Sequence, residues 1–572
     1  MENHVREKPV AGFESGTRLL DHPLAQPALL VLVVLCSFYP VLSADFTNFD
    51  DGLFLYENEL TKDSSPAGIA RIFKTNTGPN YVPLVILSFT IERAIWGLRP
   101  EFYHAVNLLL HAGSALLVFH LLKRLCCGGI PALAAAIIWA VHPMRAESVA
   151  WVTERKDCLC AFFYFSAIAF YLRFRNEKKN RFYILTLFAH ALALLSKGMA
   201  VMLPLTLLLL DWHQQRRDWK RAIIEKLPMF LLAALCAYPT LAAHVETGTA
   251  ESFGSAPGRR ASLMAYSLWF HLGKQALPLR LCPAYYVPEP VSPLAPAYFV
   301  CLVSTAALAA LLWTFRASRM LVLGAAFYLI AFLPASQIVP LKYPVADRYT
   351  CLPSFGLVLL LCAAAGRIRE FDIGRGMMTL PIAACIVTVI LSQATARQCA
   401  LWRDSLTLWS DAERKLPDSP AVLLCLGNYW NTAGEPEKAM PYIMRGLQKS
   451  PEEANLIREA AVAFLQLGNI RQAYEMISKT PPGDFDDKQG MEIMGVCLIE
   501  LGNIEEGGRI FRGLQARFPD AASVWQLNGI ALLNAGYPAE AMPLLQKALE
   551  LSPRNPDILD QIRRAESMTG LP

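Results

Sequence analysis

The sequence predicts an all-α protein in two parts, a polytopic membrane domain followed by a solenoid of short helical repeats. Three observations carry that expectation. Apolar residues make up 54% of the 572-residue chain and charged residues only 18%, against about 25% charged in soluble domains. The apolar excess ends near Ser392, and polar helical sequence follows it. Beyond that point small residues recur on a strict 34-residue grid, the period of a helix-pair repeat. These features divide the chain into a membrane domain over 1–396 and a repeat domain over 397–572. The net charge of +5 is small for this length and gives no case for nucleic acid. The fourteen cysteines show no paired spacing, and most lie in apolar runs where Cys acts as a small hydrophobe. No disulfide or metal framework is expected.

A membrane span needs about 20 apolar residues, and Lys and Arg mark its cytoplasmic end. Arg6, Lys8 and Arg18 precede the first run, Pro23 to Ser43, so the N-terminus is expected inside. A signal peptide cleaved near Leu42-Ser43-Ala44 is the rival, but the run is long for one. Either reading puts Asp45 to Pro100 outside. Val82 to Trp96 is apolar but carries Glu92 and Arg93, which reads as an interfacial helix. The following spans are Tyr103 to Leu122, Ile130 to His142, Asp157 to Tyr171, Phe182 to Leu195, Met199 to Trp212 and Leu227 to Ala243. Basic loops at Arg173–Arg181 and Arg216–Arg221 fix their register. Arg316 and Arg319 then require both ends of Ala261 to Leu281 to lie outside, so that segment is expected to be re-entrant or interfacial. Pro296 to Thr314, Met320 to Val339, Thr350 to Ala365 and Met377 to Ala394 complete about eleven spans, with the C-terminus outside.

The tail follows its own rule. Gly427, Ala461, Gly495 and Gly529 are 34 residues apart, as are Gly434, Gly468, Gly502 and Gly536. Ala439, Ala473, Gly507 and Ala541 repeat with them, and Pro417, Pro451, Pro519 and Pro553 share the grid, with Phe485 in the one gap. Small residues let paired helices approach, the second glycine ends helix A, and proline ends helix B. This is the tetratricopeptide pattern. It gives a half repeat over 401–417, repeats over 420–453, 454–487, 488–521 and 522–555, and a capping helix over 555–568. Most tail residues serve packing, and the remaining role for such an array is to hold a peptide or protein partner.

The candidate chemistry lies beyond the outer ends of the spans. Asn48-Phe49-Asp50-Asp51 follows the first span at once. His142-Pro143-x-Arg145-x-Glu147, Glu154-Arg155-Lys156-Asp157, Lys197 in a very short turn, and Ala346-Asp347-Arg348-Tyr349 gather on the same face. Basic residues on the outer side run against the topology bias. An anionic ligand at Arg155, Lys156, Lys197 and Arg348 would explain them. The plainer reading is structural pairing, Arg155 with Asp157 and Arg348 with Asp347.

These residues also carry a resemblance. Asn48-Phe49-Asp50-Asp51, Tyr103-His104-x-x-Asn107-Leu-Leu-Leu-His111, His142-Pro143 through Asp157, Lys197, and Ala346-Asp347-Arg348-Tyr349-x-x-Leu352-Pro353 resemble the transmembrane-and-tetratricopeptide family. That family lies within the GT-C glycosyltransferase superfamily and is similar to protein O-mannosyltransferases. The resemblance covers nearly the whole chain. It implies transfer of a sugar from a polyprenyl phosphate donor to a hydroxyl of a protein or glycan acceptor, with inversion at the anomeric carbon. It implies that Asp50 is the general base, assisted by Asp51. Arg155, Lys156, Lys197 and Arg348 would bind the donor phosphate, and His104, His142, Glu147, Asp157 and Asp347 would support them. It requires no cofactor or metal, though Asp50 and Asp51 could hold a divalent ion. The short tail and the Ala- and Leu-rich make-up suggest a bacterial homologue in the inner membrane, with periplasmic repeats.

Two rivals remain at this level, a membrane-anchored scaffold for complex assembly without catalysis and a transporter. A scaffold has no use for Asp50-Asp51 beside Arg155, and transporters place such charges near the bilayer midplane.

Overall fold

The computed structural model describes residues 22–78, 80–126, 129–246, 257–339, 341, 343–371, 376–480, 488–553 and 555–569. Arg6, Lys8, Arg18 and Phe485 lie outside them. The chain forms two compact units, one ending at Leu408 and one starting at Trp409. The division expected between residues 396 and 397 falls inside a continuous helix, Gly376–Leu401.

In the first unit α1 (Ala25–Phe38) leads through a 3-10 turn into the Asp45–Asp51 segment. A helical cap follows, with α2 (Pro66–Ile72) and α3 (Pro83–Trp96). Then come α4 (Pro100–Cys126), α5 (Gly129–Ala140), α6 (Arg145–Ala150), α7 (Arg155–Glu177), α8 (Asn180–Leu194), α9 (Leu203–His213), α10 (Trp219–Ile224) and α11 (Leu227–Glu246). The unit continues through α12 (Pro257–Ala276), α13 (Pro296–Thr314), α14 (Arg319–Phe332), α15 (Ser354–Phe371) and α16 (Gly376–Leu401). Several of these begin at proline, whose fixed φ suits a first helical turn and whose missing N–H costs nothing there. All eleven segments expected to span are helical. Among the described residues six helices are long and apolar enough to cross a membrane, and four shorter ones are apolar. The segment Ala261 to Leu281, expected to be re-entrant or interfacial, falls largely in a 20-residue helix, Pro257–Ala276, that is not among them.

Helix α3 departs from the interfacial reading in one respect. Val85, Ile86 and Phe89 on one face are buried against Phe54, Tyr103 and Val152. Glu92 on that face is buried as well, because it has a cationic partner inside the protein. The cap therefore packs on the start of α4 and α7 and holds the Asp45–Asp51 segment above them.

The second unit is a ladder of helix pairs, and α17 (Ser405–Lys415) leads into it. The pairs are α18 (Pro420–Thr432) with α19 (Pro436–Lys449), and α20 (Ala454–Gln466) with α21 (Ile470–Ile477). Next come α22 (Lys488–Glu500) with α23 (Ile504–Arg517), and α24 (Ala522–Asn534) with α25 (Pro538–Leu551). Helix α26 (Pro556–Thr569) follows them. Gly434, Gly468, Gly502 and Gly536 all have φ between 72° and 91°, the left-handed region that ends a helix without Cβ strain. The other glycine row serves closeness. A Cβ on Gly427 would stand 2.5 Å from Ile443, and one on Gly495 2.7 Å from Phe511. Among the described residues there is no strand, and the tetratricopeptide array is as the spacing predicts.

Candidate functional site

The site starts from the segment after α1. Asp51 is 1% exposed. Its carboxylate accepts from the Thr47 amide (2.8 Å) and hydroxyl (3.1 Å), and from the Thr153 amide (3.0 Å) and hydroxyl (2.5 Å). Burial pushes its carboxyl up, while those four donors pull it down. Asp51 thus ties its own loop to the turn before α7. Asp50 is half-buried, and its carbonyl accepts from Phe54 N (3.0 Å). A divalent ion at this pair would share the Asp51 oxygens with these four donors. Among the described residues no group of three or more His, Cys, Asp or Glu is placed to hold one.

Phe49, next to Asp50, stacks on Trp151 at 4.3 Å and 16°. Over the same indole stand the cations of Lys156 and Arg348, each 5.5 Å from the ring centre. Those cations belong to a buried ionic cluster centred on Glu154. Lys197 donates to Glu154 (2.8 Å) and Asp157 (2.7 Å), and Lys156 lies 3.3 Å from Glu154. Arg348 pairs with Glu147 through its side chain (2.5 Å) and its amide (2.8 Å), and lies 3.7 Å from Glu154. Three carboxylates thus face three cations. Burial opposes the charge on Arg348, but Glu147 outweighs it and the guanidinium is held well above its usual value. Lys197 is likewise held up by Asp157 and Glu154 against burial. Asp347 stands beside the cluster and accepts from the Tyr285 hydroxyl at 3.1 and 3.2 Å. Burial, with Glu147 adding to it, pushes Asp347 up to about 8.

Arg155 requires a correction. It is 0% exposed, and its five N–H groups go to Asn107, Ser88, both oxygens of Glu92 and the Tyr103 carbonyl. Nothing remains for a phosphate, and its partner is Glu92 rather than Asp157. Arg348 likewise pairs with Glu147 rather than Asp347. His142 is also fully used. Its Nε2 faces the Gln275 carbonyl (3.0 Å) and so carries the proton, while Nδ1 accepts from Met144 N (3.3 Å). His104 is buried on α4.

Sequence reasoning missed the central place of Glu154, although it lies inside the quoted motif. It also missed a second ionic cluster, 14 residues further along α7. Buried Asp211 is met there by Lys226, Arg216 (3.2 Å), Arg175 (3.3 Å) and the Tyr171 hydroxyl (2.7 Å). Arg216 also pairs with Glu225 at 2.7 Å. Arg216 had been read only as a topology marker.

Comparison with known proteins places the chain. Residues 77–242 match the dolichyl-phosphate-mannose-protein mannosyltransferase family. The chain is 20% identical to mouse protein O-mannosyl-transferase TMTC3 over 95% of its own length and 65% of the relative's. It is 26% identical to human protein O-mannosyl-transferase TMTC4, over 74% of this chain and 67% of that one. It is also 31% identical to fruit-fly protein O-mannosyl-transferase Tmtc1 over 28% of this chain and 19% of that one. The chain thus spans 65% of the length of the mouse relative. Among solved structures it is similar to YrrB, a tetratricopeptide protein with an unusual peptide-binding site, at 16% identity and a TM-score of 0.23, over 34% of this chain and 96% of that one. Over most of its length this chain is similar in sequence to the TMTC protein O-mannosyl-transferases.

Proposed function

We propose that this chain is an integral-membrane glycosyltransferase that moves a mannose-like sugar from a polyprenyl or dolichyl phosphate to a hydroxyl. A protein Ser or Thr is the acceptor that fits best. The observation that carries this reading is the mannosyltransferase family match over 77–242, in a chain where Phe49, next to Asp50, stacks on the indole that Arg348 faces.

Asp50 is the general base. A hydroxyl is a poor nucleophile until its proton is taken, and a placed carboxylate typically gives about 10²–10⁴-fold. As the acceptor oxygen bonds to the anomeric carbon, its proton passes to Asp50. The bond from that carbon to the phosphate oxygen breaks, and the phosphate leaves with the electron pair, inverting the centre. Lys156, Lys197 and Arg348 stabilise the departing charge. Asp51 positions the loop through Thr47 and Thr153. The repeats recruit the acceptor or a partner. The protein sits in a bacterial inner membrane, with the N-terminus cytoplasmic and the repeats on the periplasmic side.

The test is transfer from polyprenyl-phosphate-mannose to Ser/Thr peptides by the purified full chain and by Asp50→Asn. Transfer should fall by about two orders of magnitude or more in the variant while folding is kept. Equal rates for both would remove Asp50 as the base. No transfer by the parent across sugars and acceptors would favour the scaffold reading.

A further inference from the structure

The cations near the outer site are not equivalent. Arg155, Lys156, Lys197 and Arg348 each have a carboxylate partner. Arg145, on α6 two residues before Glu147, has none among the described residues. It is 1% exposed. Its Nη2 donates to the Thr350 hydroxyl at 2.8 Å, its guanidinium carbon is 5.9 Å from the Trp139 ring centre, and its Nε and Nη1 have no hydrogen-bond partner. The buried Cys351 thiol beside it is a neutral group and supplies no counter-charge. An arginine cannot shed its proton to escape such a place. A buried, unpaired cation is costly, and that cost is retained where a ligand supplies the missing charge.

A second observation lies two hydrogen bonds and a short turn away. Between α12, α13, α14 and α15 is a cavity of about 760 Å³, lined by Leu272, Leu308, Leu312, Tyr328, Leu329 and Leu360 among others. Its polar edge is Tyr328, whose hydroxyl accepts from the Gln275 amide at 3.0 Å. The Gln275 carbonyl accepts from His142, three residues before Arg145. Tyr328 at the cavity edge is thus tied by hydrogen bonds through Gln275 and His142 to the turn that carries this guanidinium.

We propose that Arg145 receives the phosphate of the lipid-linked donor, with the donor's single hydrocarbon chain lying in the cavity between α12, α13, α14 and α15. The proposal rests on the transferase reading and adds the net positive charge that the balanced Glu154 cluster lacks. The Thr350 hydroxyl is a neutral partner, which a phosphate oxygen can replace.

The test measures binding of a polyprenyl monophosphate and of the matching polyprenol to the full chain in nanodiscs, without sugar or acceptor. The parent should prefer the phosphate. Arg145→Met should bind the phosphate about ten- to hundredfold more weakly and keep its affinity for the alcohol, whereas Arg145→Lys should retain most of the preference. Without ligand, Arg145→Met should melt no lower than the parent, since it removes an unpaired buried charge. Leu272→Trp, which fills the cavity, should weaken both ligands. Parental phosphate binding by Arg145→Met, or equal competition by phosphatidic acid, would overturn the proposal while leaving the transferase reading in place. A parent with no preference for phosphate over alcohol would overturn both.

Discussion

The two buried ionic clusters along α7 are built from the same residue types and differ in how completely they are closed. The Asp211 cluster is complete: its carboxylate is met by Lys226, Arg216, Arg175 and Tyr171, and Glu225 takes the rest of Arg216. The outer cluster has loose ends. Asp347 is held as an acid up to about 8, Arg145 has no counter-ion among the described residues, and Asp50 adjoins the aromatic stack on which Arg348 and Lys156 rest. Fourteen residues of helix separate Asp157 from Tyr171, about 21 Å of rise. Burial of charge alone therefore does not mark a functional site here. Incomplete neutralisation is what sets the candidate site apart from the inner cluster.

The comparison can be broken most directly at its closed end. Asp211→Asn leaves Lys226 and Arg216 buried without full compensation and should cost about 3–5 kcal/mol of stability. The surviving protein should bind donor normally, as thermal melting and binding on the same samples would reveal. Altered donor affinity would make the inner cluster more than a structural closure.

Asp347 sharpens the outer end. Its folded pKa is raised, so its contribution to stability is full below the unfolded value near 4 and is lost as pH rises towards about 8. Asp347→Asn abolishes that loss. Relative to the parent, the variant should gain stability steadily as pH rises from 5 to 7, read as melting temperature against pH. A pH-independent difference would show that Asp347 ionises normally.

Arg155 is the smallest effect. Arg155→Met strands Glu92, which can take up a proton, so the loss should be about 1–2 kcal/mol. Polyprenyl phosphate binding should not change. A selective loss of that binding would return Arg155 to the phosphate site.

Much of the architecture was legible because it repeats or is bulk-like. Hydropathy located each expected membrane segment on a helix, and the 34-residue grid placed Gly434, Gly468, Gly502 and Gly536 at left-handed helix ends. The pairing of charges was not legible. Arg155 meets Glu92 across 63 positions, Arg348 meets Glu147 across 201, and Asp51 meets Thr153 across 102. Such partners are set by how helices pack, and local spacing says nothing about them. Sequence neighbours suggested Asp157 and Asp347 instead. The basic loop after α9 shows the same limit, since Arg216 counts towards topology in the sequence and closes a buried network in the fold.

The loop that bears Asp50 is fastened at two further points. The Asp45 amide donates to the Arg403 carbonyl at 2.7 Å, and the Asn48 amide to the Ser405 hydroxyl at 2.9 Å. For the history of such chains this sets where recombination is tolerated. An exchange of repeat arrays that joins the chain after Leu408 keeps both fastenings. One that joins it before Arg403 discards them, and with them the anchorage of a loop more than 350 positions upstream. Repeat number and surface can therefore drift freely among descendants, while the first residues after the last apolar helix are inherited with the Asp50 loop as one piece.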